Sequence, residues 1–169
     1  MYAVVNAADL LEIERIKRLK YRYMRCLDQK RWGDLAECFT HDAVASYSGG
    51  RYHFEGRRSI LEFLETSMGA ESFLSSHRVH QPEIDLTGPA TAHGTWALDD
   101  VVVETAWDVT VRGAAFYEDD YVLVDDDWLI SHTGYRRTFE EIQPRGETPG
   151  LRLTASWFVD DGRSSLGAD

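Results

Sequence analysis

Cysteine is scarce in this chain: only Cys26 and Cys38 occur in 169 residues. Two cysteines do not make a disulfide scaffold. Both lie in apolar-periodic helical stretches, so reduced core residues are expected. Positive charge is also short. Lys and Arg number 18 against 29 Asp and Glu, a net charge of −11. A surface of that sign does not attract phosphate backbones, which excludes nucleic acid as a partner. It argues equally against anionic membranes and favours solubility. A small acidic ligand would have to be recruited locally by arginine. No run approaches ~20 apolar residues, so no membrane span is expected. The N-terminus has no basic stretch followed by an apolar one, so no secretory signal is read and a cytoplasmic location is expected. Repeats, a phosphate-cradling Walker loop, a dinucleotide fingerprint and a nucleophile elbow are all missing.

What is present is apolar and aromatic. Hydrophobic residues make up 43% of the chain, with five Trp, eight Tyr and seven Phe. A large core or an aromatic-lined cavity follows, and the length suits one domain.

Ile13, Ile16, Leu19, Tyr23 and Leu27 recur at steps of three and four. They mark the buried stripe of a first helix. Asp9 followed by Glu12 reads as its capping box, residues 1–8 as frayed, and Lys30 as its end. A short helix is expected over 33–39, with Leu35, Ala36 and Phe39 inward. A strand over 43–47, a turn at 48–50 and a return at 52–54 come next. The pattern of Ile60, Leu61, Phe63 and Leu64 predicts a third helix over 57–68. Four long strands follow, over 75–86, 92–105, 113–124 and 128–139. Asp125, Asp126 and Asp127 form the hairpin turn between the last two, since no alternating set of calcium ligands surrounds them.

Helices first and long strands afterwards make an α+β pattern. A curved, mainly antiparallel sheet would wrap the first helix and leave a pocket between them. This domain is expected over 1–142. Residues 143–169 form a C-terminal extension whose polar end, from Asp160, is expected to be disordered.

Asp28 directly follows the buried stripe. It is either a solvated helix end or a carboxylate held in a cavity, where it needs a partner. His77 and His80 lie on one strand at a spacing that puts them on opposite faces. They are therefore poor joint metal ligands, and no metal site is expected. His77 is suited to moving protons near neutral pH, and a carboxylate beside it would fix its tautomer. A structural histidine is the plainer alternative. Asp100 shares a strand face with Trp96 and Leu98 and needs a partner there. Arg137, on a face with Tyr135 and Phe139, could be that partner or could bind a substrate anion. Tyr23 precedes Asp28 by five residues, ~140° round a helix. It shares a cavity with Asp28 only if that cavity is wide. Tyr47 ends a strand, where packing and function are equally open.

Seven stretches together carry a resemblance. They are Arg25–Asp28, Ser46–Ser48, Ser67–Met68, His77–Ile84, Gly94–Asp100, Gly113–Tyr121 and Thr133–Glu141. In this order the chain resembles the bile-acid 7α-dehydratase group of the SnoaL-like, nuclear transport factor 2-like superfamily. The resemblance implies a cone-shaped α+β barrel, often trimeric, and cofactor-free elimination chemistry. Position by position it implies functional roles for Tyr23, Asp28, His77, Asp100 and Arg137. Tyr47, Trp96, Met68 and Phe116 are expected to bind substrate. The implied partner is a small, hydrophobic, hydroxylated molecule such as a steroid-like or polyketide-like hydroxy-ketone. Substrate choice is expected to depend on residues 104–112. An isomerase or dehydrochlorinase in the same cone, or a ligand-binding module without catalysis, stand as alternatives.

Overall fold

The computed structural model describes residues 6–166. Helix α1 (Ala7–Asp28) starts at Asn6, whose side chain accepts the backbone N–H groups of Ala8 and Asp9. The Asp9 carboxylate accepts the Asn6 N–H at 3.0 Å, which closes the capping box. The box thus stands one turn earlier than Asp9 and Glu12 suggested. Asn6 was the better cap, because its short amide reaches two free N–H groups. Asn6 to Ala8 are therefore ordered by the cap, and residues 1–5 lie outside the described residues. Glu12 serves elsewhere: it pairs with Arg15 and accepts the indole N–H of Trp128 at 2.6 Å.

Helix α2 (Trp32–Ala36) is shorter than expected. Phe39 already opens strand β1 (Phe39–Tyr47), fully buried, so its inward face is a strand face. Strand β2 (Tyr52–Glu55) returns beside β1, and helix α3 (Arg57–Met68) follows where expected. The long strands are β3 (Phe73–Gly88), β4 (Thr91–Glu104), β5 (Val109–Val124) and β6 (Asp127–Pro144). Asp125 and Asp126, at φ of 49° and 69°, make the expected hairpin turn. Positive φ at both central residues matches the twist of the flanking strands.

The sheet order is β2-β1-β6-β5-β4-β3. Only β1 and β6 run parallel. The sheet is curved and mixed, and it stays open rather than closing as a barrel, so β2 and β3 are edges. α1 packs along the edge strand β3. This places the end of the helix beside the middle of that strand.

The inward face of the sheet is filled by aromatic side chains around a buried ion pair. Lys20 and Asp119 are both fully buried, with Nζ 2.6 Å from Oδ2. Asp119 also accepts hydroxyl hydrogens from Tyr121 at 2.8 Å and Thr133 at 2.6 Å. Tyr121 in turn accepts the Trp96 indole N–H at 2.9 Å. The Lys20 ammonium stands 3.6 Å from the centre of the Tyr117 ring. Burial pulls the Lys20 pKa down, and Asp119 opposes that shift. Cys26 and Cys38 are buried and unpaired, and burial pushes the Cys38 thiol up to about 12.

Burial also raises the phenol pKa values of Tyr23, Tyr47, Tyr117 and Tyr121. Near pH ~10 the unfolded chain loses these protons while the folded chain keeps them. Stability falls with pH wherever the unfolded state binds fewer protons. We therefore expect midpoint denaturant concentrations to drop as pH rises through 10. Replacing Tyr47 by Phe should make that drop shallower. An equally steep drop in the variant would show that this phenol is not coupled to folding.

After β6 the chain stays tied to the domain. Arg145 donates through its backbone to Asp108 at 2.8 Å and through its side chain to Thr110 at 3.0 Å. Residues 154–165 close a loop, with the Ser165 N–H on the Thr154 carbonyl at 2.8 Å. Asp160, where disorder was expected to begin, accepts the Ser156 N–H at 2.7 Å. A short polar side chain bonding nearby backbone organises this turn without a core. Residues 167–169 lie outside the described residues. No helix among the described residues is long and apolar enough to cross a membrane.

Candidate active site

The last residue of α1 meets the edge strand β3. Asp28 Oδ1 accepts the Ser75 hydroxyl at 2.8 Å and lies 2.6 Å from His77 Nδ1. Its Oδ2 accepts the His77 backbone N–H at 2.9 Å. Three partners on two oxygens fix the plane of the carboxylate. A carboxylate accepts from Nδ1–H, and the neutral form of a ring held this way presents Nε2 as its acceptor. Nε2 has no protein hydrogen bond among the described residues. The two side chains are 11% and 22% exposed for His77 and Asp28. That is dry enough to strengthen the pair and open enough to admit a ligand. Both line a cavity of about 510 Å³, together with Tyr21, Met24, Arg25 and Arg78.

Strand alternation explains the neighbours. His77 stands opposite Asp100 of β4, and Val79 opposite Leu98, on the inward face. His80, on the other face of the strand, pairs with Asp99 at 3.1 Å at the rim of the same cavity. A bulge follows at Gln81, with φ of 47°. The extra residue brings Ile84 and Leu86 back to the inward face.

Asp100 receives both terminal nitrogens of Arg137, one at 3.0 Å. Arg137 Nε lies 3.0 Å from Glu140 as well. The guanidinium is therefore occupied by two carboxylates. Gly113 makes this approach possible. A Cβ there would stand 2.7 Å from Arg137 Nη1 and 2.8 Å from the Phe139 carbonyl. Phe139 does not share the face of Tyr135 and Arg137, as simple alternation suggested. A bulge in the β5–β6 ladder shifts it opposite Ala114, and it is 52% exposed.

The other candidates are not gathered at this cavity. Tyr23 is fully buried, and its hydroxyl lies 3.3 Å from that of Tyr47. Its ~140° offset from Asp28 turns it into the core. Trp96 is buried and bonded to Tyr121. Met68 ends α3 and packs against the core. Phe116 is on the opposite face of the sheet, because Ala115 and Tyr117 take the inward positions. It lines a separate outer cavity of about 430 Å³ with Ser46, Glu118 and Arg136. Residues 104–112 make the tip of the β4–β5 hairpin, where Trp107 is 79% exposed.

Sequence reasoning missed Ser75 and Lys20. Ser75 is two residues before His77, so it shares the face that meets Asp28. Lys20 sits on the stripe itself, four residues after Ile16 and three before Tyr23.

An open curved sheet with a helix across its inner side is a nuclear transport factor 2-like fold, and here an Asp–His pair stands where the two meet. Within that class the chain belongs to the SnoaL-like domain family, whose model matches residues 8–134. Solved structures agree on the fold. A candidate scytalone dehydratase from Novosphingobium aromaticivorans superposes with a TM-score of 0.74 at 22% identity, over 92% of this chain and 97% of that one. The type 3 hexachlorocyclohexane dehydrochlorinase of Novosphingobium barchaimii gives 0.71 at 17% identity, over 85% and 94%. ActVI-ORFA of Streptomyces coelicolor gives 0.64 at 16% identity, over 75% and 96%.

Proposed function

We propose that this protein is a cofactor-independent dehydratase acting on a steroid-like or polyketide-like hydroxy-ketone. One observation carries the reading: Asp28 holds His77 by Nδ1 and leaves Nε2 unbonded at the cavity. In this reading Nε2 removes a proton from the carbon beside the substrate carbonyl, giving an enolate. The enolate expels the hydroxyl one carbon further on. The imidazolium returns its proton to that oxygen, so water leaves and a carbon–carbon double bond remains. Asp28 stabilises the imidazolium between the two transfers. Ser75 holds Asp28. Asp100, opposite His77 on the neighbouring strand β4, is itself held by Arg137 of β6. The similarity in fold to proteins named as dehydratase and dehydrochlorinase agrees with elimination chemistry.

The test is a panel of steroid-like and polyketide-like hydroxy-ketones, incubated with the purified chain and read by mass. Loss of water from one class without any added cofactor is the expected result. A moved double bond at unchanged mass would replace this reading with an isomerase. No change across the panel would leave a binding module.

A further inference from the structure

We infer that the ligand of the His77 cavity carries a compact anionic group, a carboxylate or a phosphate, held by Arg25 and Arg78. This rests on the cavity being the substrate site. The chain has 29 acidic residues against 18 Lys and Arg, and five of its fifteen arginines form ion pairs among the described residues. Arg137 is taken by Asp100 and Glu140, Arg15 by Glu12, Arg31 by Asp34 and Arg58 by Glu62. Among the described residues, Arg25 and Arg78 have neither an ion pair nor a side-chain hydrogen bond. Both line the cavity that contains Asp28 and His77.

They arrive from different elements. Arg25 lies one helical turn before Asp28 on α1. Arg78 follows His77 on β3 and reaches the cavity round the open edge of the sheet. The cavity's own carboxylate does not compete for them. Asp28 already accepts hydrogen bonds from Ser75 and the His77 backbone and meets His77 Nδ1. A cation in the last turn of a helix also suits the helix dipole. That accounts for Arg25 alone, since Arg78 is on a strand. Two planar guanidinium groups recognise an oxyanion by paired hydrogen bonds, and Tyr21, Met24 and Val79 offer apolar surface for the carbon skeleton. Arg137 is the arginine that sequence alone suggested for an anion, and its two carboxylate partners remove it from that role.

The experiment is calorimetric titration of the full chain with testosterone hemisuccinate, its methyl ester and testosterone phosphate. The parent should bind the anionic probes at least about tenfold more tightly than the ester, about 1.4 kcal/mol. The Arg25→Gln/Arg78→Gln double variant should lose that preference and keep its affinity for the ester. The hemisuccinate and the phosphate separate the two anion classes. Equal affinity for ester and anions in the parent overturns the inference. So does a preference that survives in the double variant, or failure of all three probes to bind. Binding needs no turnover, so the dehydratase reading is scored separately. Anion preference with no loss of water from any hydroxy-ketone would leave the anion site standing and remove the dehydratase.

Discussion

His77→Ala is expected to lower turnover about 10²–10⁴-fold, the usual share of a general acid–base. The fold should survive. The Asp28 carboxylate keeps the Ser75 hydroxyl and the backbone N–H of residue 77, so no buried acceptor is orphaned. Asp28→Asn is the companion variant. The amide is nearly the same shape, and it removes the charge that stabilises an imidazolium. Its kcat should fall while KM stays near the parental value, because the carboxylate touches the histidine and not the substrate. Steady-state kinetics on the hydroxy-ketone that the panel identifies, with circular dichroism as the folding control, checks both. A KM effect without a kcat effect in Asp28→Asn would place Asp28 in binding rather than in proton transfer.

The second large effect is on stability. Lys20→Met should destabilise the protein by about 3–5 kcal/mol, because it leaves the Asp119 charge buried without its cation. For a chain of this size that is a fall in melting temperature of roughly 6–20 °C. The hydroxyl groups of Tyr121 and Thr133 still point at Asp119, yet they supply no positive charge. Adding Asp119→Leu to Lys20→Met should recover much of the loss, since apolar replacement of a whole buried pair is often neutral or better. Thermal melts of the parent, the single and the double variant decide this. A double variant no more stable than Lys20→Met would mean that the pair's hydrogen bonds to Tyr121 and Thr133 matter more than charge compensation.

The same ion pair shows where sequence reading stops. Helical period and strand alternation made most elements legible: α1, α3 and the four long strands lie close to their expected spans. Lys20 lies on the first helix's apolar stripe and was passed over, and that place does not reveal the carboxylate that it meets. Asp119 is 99 positions further along the chain, between Tyr117 and Tyr121. Only the register of β5 behind α1 joins them. Asp28 and His77 could be paired in advance because Asp28 stood at the edge of an apolar stripe and needed a partner, and a strand histidine suited to moving protons could be that partner. Phe116 and Phe139 were misjudged for related reasons. Phe116 follows an inward alanine and so faces out, and Phe139 lies beyond a bulge that no local residue announces. Tyr23 belonged to the core by its own helical angle. Bulges, edge strands and long-range register set the cavity wall. They depend on how strands pair, which local periodicity does not encode.

The most direct test of the Asp28–His77 account is deuterium exchange at the carbon beside the carbonyl of the hydroxy-ketone, followed by mass spectrometry in heavy water. Return of a solvent-exchanged proton from the imidazolium to the enolate, before hydroxide leaves, should wash deuterium into that position of recovered substrate with the parent, and His77→Ala should not. Parental exchange in His77→Ala, with the protein folded, would contradict the account, because another group would then be taking the proton.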